Sequence, residues 1–162
     1  MIRITELRLP LTHAEPALHA AVLQRLTVEA DLRRAIERQE FFVEYQPIVA
    51  LESGVILGFE ALLRWNHPTK GRVNPDVFIP VAEESGQIQK IGLWVIGQVA
   101  KDLRHWREHV PAAQNIYISV NVSRLQILDE QFADNLSDML TSYGVDANSV
   151  YVEVTENSVM GA

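Results

Sequence analysis

The sequence predicts an α/β fold, the first half of a TIM-type β/α barrel with an antiparallel first strand. Three observations lead there. Residues 116–122, 129–143 and 150–155 read as strand, helix and strand, the order that builds a right-handed crossover and a parallel strand pair. Within those strands aliphatic and polar residues alternate: Ile116, Ile118 and Val120 oppose Tyr117, Ser119 and Asn121, and Val150, Val152 and Val154 oppose Tyr151, Glu153 and Thr155. One face then suits a layer of helices, and the other gathers polar groups near the carboxyl ends of the strands, where β/α barrels hold their ligands. Thirdly, residues 41–51 and 55–65 read as two strands joined by Glu52-Ser53-Gly54, a connection short enough to make them an antiparallel hairpin.

Taken in order, residues 1–15 hold a short alternating piece, Ile2 to Leu7, followed by Pro10, and are expected to be a tail or the remnant of an upstream unit. Pro16 is a good first helical residue, and residues 16–40 read as one helix with Leu18, Val22, Leu26, Leu32 and Ile36 as apolar positions. Two readings of it stand: an amphipathic helix packed on the domain, or a connector that carries signals from an upstream domain or pairs with a partner chain. After the hairpin, Asn66 to Asn74 reads as a polar loop. Asn74 as cap and Pro75 at the first turn then open a helix that closes near Gly86, with Glu83 and Glu84 as its solvated end. Ile88, Ile91, Val95, Val99, Leu103 and Trp106 recur at spacings of three and four, marking another helix that ends near His109-Val110-Pro111. Phe132, Leu136, Met139 and Leu140 line one stripe of the helix over 129–143, which Gly144 ends. Four strands are read, whereas an eight-stranded barrel takes roughly 200 to 250 residues. The sheet is therefore expected to belong to an incomplete domain or to be completed by a second copy.

Composition narrows the function. The 48% hydrophobic content over 162 residues suits one globular domain. A net charge of -7 and a pI near 5.2 disfavour binding to DNA or RNA through a basic face. With no cysteine, disulfides, thiol catalysis and zinc-thiolate sites are excluded. No signal-peptide core precedes the domain and no apolar run approaches the ~18 to 20 residues of a membrane span, so a cytoplasmic location is expected.

The residues able to carry chemistry centre on the second strand, Gly58-Phe59-Glu60-Ala61-Leu62-Leu63-Arg64-Trp65. Strand alternation puts Glu60 and Arg64 on one face, about 13 Å apart, too far for a direct ion pair yet suited to two parts of one extended ligand. Glu60, Asn121 and Glu153 occupy comparable places late in three strands, and in a barrel these converge. Two carboxylates and an amide oxygen, without sulfur or imidazole, are a hard donor set that suits Mg2+ or Mn2+. Such an ion would activate water and neutralise a phosphodiester. Each residue has a plainer alternative: Glu60 paired with an arginine, Asn121 bonded to loop backbone, Glu153 capping a turn. His105 and His109 lie four apart without a third ligand, His67-Pro68 reads as loop punctuation, and Trp65, Trp94 and Trp106 read as packing residues.

The run Glu60-Ala61-Leu62-Leu63-Arg64-Trp65 resembles the signature of the EAL-domain family of cyclic di-GMP phosphodiesterases. Further stretches match in order: Tyr45-Gln46-Pro47-Ile48, Phe78 to Gly86, Ile91-Gly92-Leu93-Trp94-Val95, Asn121-Val122-Ser123 and Glu153-Val154-Thr155-Glu156. The resemblance covers about residues 31–160, with 41–162 as the N-terminal half of the domain. It implies that Glu60, Asn121 and Glu153 are metal ligands in a hydrolysis of cyclic di-GMP to linear pGpG. Gln46 and Arg64 would contact the dinucleotide, Leu63 would offer backbone to it, and Glu156 would hold the catalytic loop. Cyclic di-GMP is the partner it implies; an upstream sensory or GGDEF-type domain and, from the incomplete sheet and the helix over 16–40, a second copy are the further partners expected.

Asn157 stands where the family usually has serine or threonine. The family's paired aspartates, its lysine, a further glutamate and a glutamine would fall beyond residue 162, so the 162-residue chain alone is expected to be inactive. The alternative is a degenerate member that binds the dinucleotide or a partner protein without cutting it; intact Glu60, Asn121 and Glu153 favour the enzyme.

Overall fold

A computed structural model describes residues 15–154. Its centre is a five-stranded sheet with the path β1-β2-β4-β5, on which β3 pairs with β2 alone. β1 (Phe41–Val49) and β2 (Ile56–His67) form the expected antiparallel hairpin. Its loop closes with Ala50 donating to the Val55 carbonyl and Gly54 to the Ala50 carbonyl, and Gly54 adopts φ 67°, open to glycine at little cost. β4 (Tyr117–Val122) lies parallel to β2, and β5 (Val150–Val154) parallel to β4. The crossover and the antiparallel first strand are therefore as the alternation predicts.

The expected loop at 66–74 is instead structured. β2 runs on to His67, and β3 (Gly71–Val73) turns back to pair Val73 with Trp65 and Arg72 with Asn66. Gly71 at φ 69° makes that reversal possible. His67 is buried there, with Nδ1 accepting from the backbone N–H groups of Thr69 and Lys70 and Nε2 lying 3.0 Å from Asp31. It is a structural residue and not mere punctuation.

Helices cover one face of the sheet. α2 (Pro75–Glu84) is capped by Asn74, whose side chain accepts from Asp76 N–H, with Pro75 in the first turn. α3 (Gln87–His109) buries Ile88, Ile91, Val95, Val99 and Leu103, the stripe read from sequence. The helix expected over 129–143 is α5 (Phe132–Ser142), and a short α4 (Arg124–Ile127), not expected from the sequence, precedes it. A capping box explains the separate start: Ser123 accepts from Gln126 N–H while the Gln126 side chain accepts from Ser123 N–H. α5 ends at Gly144, φ 67°, as expected.

α1 (Glu15–Ala35) stops short of residue 40, and its contact stripe differs from the expected one. Leu18 and Leu26 are exposed, whereas Val28, Leu32 and Ala35 are buried in the main core. The second half of the helix thus packs on the domain, fastened by Arg25 to Glu84 and by Asp31 to Lys70 at 2.7 Å. The Lys70 hydrogen bond holds the Asp31 carboxyl below its usual range. The core joins Phe41, Trp65, Phe78 and Trp94 through ring contacts of 5.5 to 5.9 Å. Trp65 and Trp94 are therefore packing residues, and Trp65 also donates from Nε1 to Glu40 at 2.9 Å. Among the described residues no helix is long and apolar enough to cross a membrane.

Candidate active site

Strand register assembles the site. Gln46 pairs with Glu60 across β1 and β2, Glu60 with Ser119 across β2 and β4, and Asn121 with Glu153 across β4 and β5. Paired residues share a face, so all five lie on the side of the sheet away from the helices. Asn121 Nδ2 donates to Glu60 Oε1 at 2.7 Å, joining neighbouring strands by a direct contact. Three of the residues singled out in the sequence are thus brought together, with Gln46 beside them. The alternatives set against them in the sequence, an arginine on Glu60 and a loop backbone on Asn121, are not the partners found. Glu60 is half-buried, while Asn121 and Glu153 are exposed. Glu156 lies outside the described residues.

The donor chemistry fits a hard divalent cation. The Asn121 bond engages one oxygen of Glu60 and the nitrogen of the amide, leaving Glu60 Oε2, Asn121 Oδ1 and the Glu153 carboxylate as oxygen ligands. Beside them Ser119 is 1% exposed, and its hydroxyl has no hydrogen-bond partner among the described residues. An orphaned buried hydroxyl is costly and calls for a partner. No cluster of three or more His, Cys, Asp or Glu side chains able to hold a metal occurs among the described residues, so any ion here must draw on Asn121. Glycine at position 58 also shapes this face: a Cβ there would collide with the Tyr117 carbonyl and ring. Tyr117 in turn meets Tyr151 edge-on at 4.7 Å.

Towards the carboxyl end of β2, Arg64 Nε donates to Glu44 Oε2 at 2.8 Å and Nη1 to the Leu63 carbonyl at 3.1 Å. Glu44 also pairs with Arg72, and these two guanidiniums, Arg72 foremost, hold its carboxyl below the usual range. Between β2, β4 and helices α2, α3 and α4 opens a cleft of about 260 Å³. Arg64, Asn121, Ser123 and Glu83 are polar residues at its walls, with Leu63 and Ile91 among the apolar ones. Glu83 is a correction: it is half-buried, not a solvated helix end, and burial pushes its carboxyl up. Helical spacing could have found it, since Glu83 lies four residues beyond Ile79, another cleft residue. His105 and His109 stack on one another, and the His109 Nδ1 lies 2.8 Å from the His105 carbonyl, a local helix contact.

Residues 29–162 match the family model described as EAL domain. The chain is 39% identical over 148 residues to the oxygen sensor protein DosP of Escherichia coli K12, covering 90% of this chain and 18% of that protein. It is 36% identical over 146 residues to the bifunctional diguanylate cyclase/cyclic di-GMP phosphodiesterase MucR of Pseudomonas aeruginosa, covering 90% of this chain and 21% of MucR. The solved PaMucR phosphodiesterase in complex with c-di-GMP superposes with a TM-score of 0.77 at 36% identity, covering 83% of this chain and 54% of that one. The chain therefore spans about a fifth of the curated relatives and about half of that solved chain.

Proposed function

The chain belongs to the EAL-domain family, and on that premise we propose that it supplies the first half of a cyclic di-GMP phosphodiesterase site, hydrolysing cyclic di-GMP to linear pGpG. The observation that carries this reading is the direct Asn121–Glu60 hydrogen bond with Glu153 paired beside Asn121. Strand register sets these three oxygen-bearing residues on one face of adjacent parallel strands, an arrangement that suits the ligand face of a β/α barrel.

Glu60, Asn121 and Glu153 would hold Mg2+ or Mn2+, a role their oxygen-only donor set suits. Such an ion, when bound, lowers the pKa of a bound water and offsets charge on a phosphodiester. This chain's own contribution is binding and orientation. Arg64 offers its remaining guanidinium N–H groups to a phosphate or base edge, Gln46 sits next to Glu60 on the adjoining strand, and the Leu63 carbonyl fixes the Arg64 head group. Glu156 is assigned to holding the catalytic loop. Residues 41–162 form the barrel portion in this reading, with α1 as the connector to an upstream unit and a second copy as a further partner.

The test is incubation of the intact protein bearing this chain with cyclic di-GMP and Mg2+ or Mn2+, following linear product beside a Glu60→Ala variant. Turnover in the variant should fall by about a hundredfold or more, at the upper end of what is lost with groups that support a metal site. Unchanged turnover would remove Glu60 from the site. Tight binding without turnover in the natural protein would make the domain a receptor.

A further inference from the structure

Arg64 does not stand alone on its strand: a carboxylate and a second guanidinium lie beside it. Its Nε donates to one oxygen of Glu44 at 2.8 Å, and the other oxygen of Glu44 pairs with Arg72 from β3. The placement follows from register. Glu44 opposes Leu62 and Phe42 opposes Arg64, so Glu44 reaches Arg64 diagonally across the hairpin on the site face. Arg72, paired with Asn66, comes from β2's other neighbour on the same face, its guanidinium 5.5 Å from the Phe42 ring centroid. Two cations share one carboxylate. A net positive charge therefore remains at the trio, and Arg64, the least exposed of the three at 21%, is the member that lines the cleft.

We propose that Glu44 and Arg72 are positioning residues for Arg64: Glu44 fixes the direction of its guanidinium, and Arg72 neutralises Glu44 so that the charge of Arg64 stays available to an anionic ligand. The inference rests on the reading of Arg64 as a dinucleotide contact. With Glu44 alone, the carboxylate would cancel Arg64 and compete with a phosphate for it. With neither partner, Arg64 would keep its charge and lose its aim, spending rotamer freedom on every binding event.

The consequences differ for each variant. Glu44→Ala should weaken cyclic di-GMP binding about tenfold, the loss of one well-placed charge-assisted contact. Arg72→Met should weaken it by a similar factor, and Glu44→Gln in the Arg72→Met background should recover most of that loss. A structural role for Arg72 would give no such recovery. The measurements are calorimetric titration of cyclic di-GMP with the intact protein bearing this chain and with its variants, and the Arg64 Nε–H NMR signal with its solvent-exchange rate in the absence of ligand. Slow exchange at Arg64 Nε–H, accelerated severalfold in Glu44→Ala, is expected whether or not the dinucleotide binds. Unchanged exchange in Glu44→Ala overturns the positioning of Arg64, and so does unchanged or tighter binding by that variant. Absence of recovery in the double variant overturns the part assigned to Arg72. Absence of binding by the intact natural protein, with exchange at Arg64 still governed by Glu44, counts instead against the dinucleotide reading.

Discussion

The two faces of the sheet are built by different physics. Ala61, Trp65, Ile118, Val120 and Val122 face the helices and are 3% exposed or less, locked by packing that leaves little room for movement. On the opposite face, Gln46, Asn121 and Glu153 are exposed and Glu60 and Arg64 half-buried, and directed hydrogen bonds do the holding: Asn121 to Glu60, Arg64 to Glu44 and to the Leu63 carbonyl. The contrast separates the tasks of one backbone. The packed face fixes where the strands run, and the polar face spends that precision on orienting donors it does not itself bury.

Substitutions on the two faces should therefore read out differently. Trp65→Ala empties the largest fully buried site and should cost about 3–5 kcal/mol of stability. Trp65→Phe, which keeps most of the packing but removes the donor to Glu40, should cost about 1–3 kcal/mol; urea titration distinguishes the two. Gly58→Ala should cost about 1–3 kcal/mol, because the added methyl must displace the Tyr117 backbone and so disturbs the β2–β4 register beneath Glu60. Glu60→Ala, on the polar face, should stay within about 1 kcal/mol of the natural chain in the same titration. A large stability loss there would blur the distinction between the faces.

Acid supplies a smaller effect. The Asp31 carboxyl is depressed in the folded chain below its ordinary 3.8, so the stability it contributes is present above that value and is lost as pH falls through the lower folded value. Asp31→Asn should flatten the acid limb of a pH–stability profile and loosen the α1 contact with Lys70. Glu83 acts with opposite sign. Its carboxyl is raised by burial above an ordinary 4.5, so stability declines as pH rises through that window. Glu83→Gln should stabilise the chain at neutral pH by less than about 1 kcal/mol, given how far solvent screens it, and the gain should vanish below pH 4. Equal gains at both pH values would show that charge is not the cause.

Most of the architecture is legible in the sequence because alternation and helical periodicity are strong signals over six or more residues. β3 escapes them: Gly71-Arg72-Val73 is too short for any period, and only pairing with Trp65, Asn66 and His67 makes it a strand. The separate α4 was readable in principle, since Ser123 and Gln126 carry the spacing of a capping box. On α1 the buried stripe follows Val28, Leu32 and Ala35, which the scattered leucines of its first half obscure. The approach of Asn121 to Glu60 follows from strand alternation once β2 and β4 are neighbours. The link from Arg64 to Glu44 and Arg72 does not, because it depends on the register of a hairpin and on a strand that sequence does not announce.

The reversed direction of β1 has an architectural result. In an all-parallel barrel a helix entering the first strand arrives at the rim opposite the chemistry. Here the segment leaving α1 reaches β1 alongside the carboxyl end of β2, where Asn66 N–H donates to the Glu40 carbonyl at 2.8 Å and the Trp65 indole to the Glu40 side chain. The segment that follows α1 and the Arg64 end of β2 thus share one edge of the sheet, and Glu40 bonds to the two residues that directly follow Arg64.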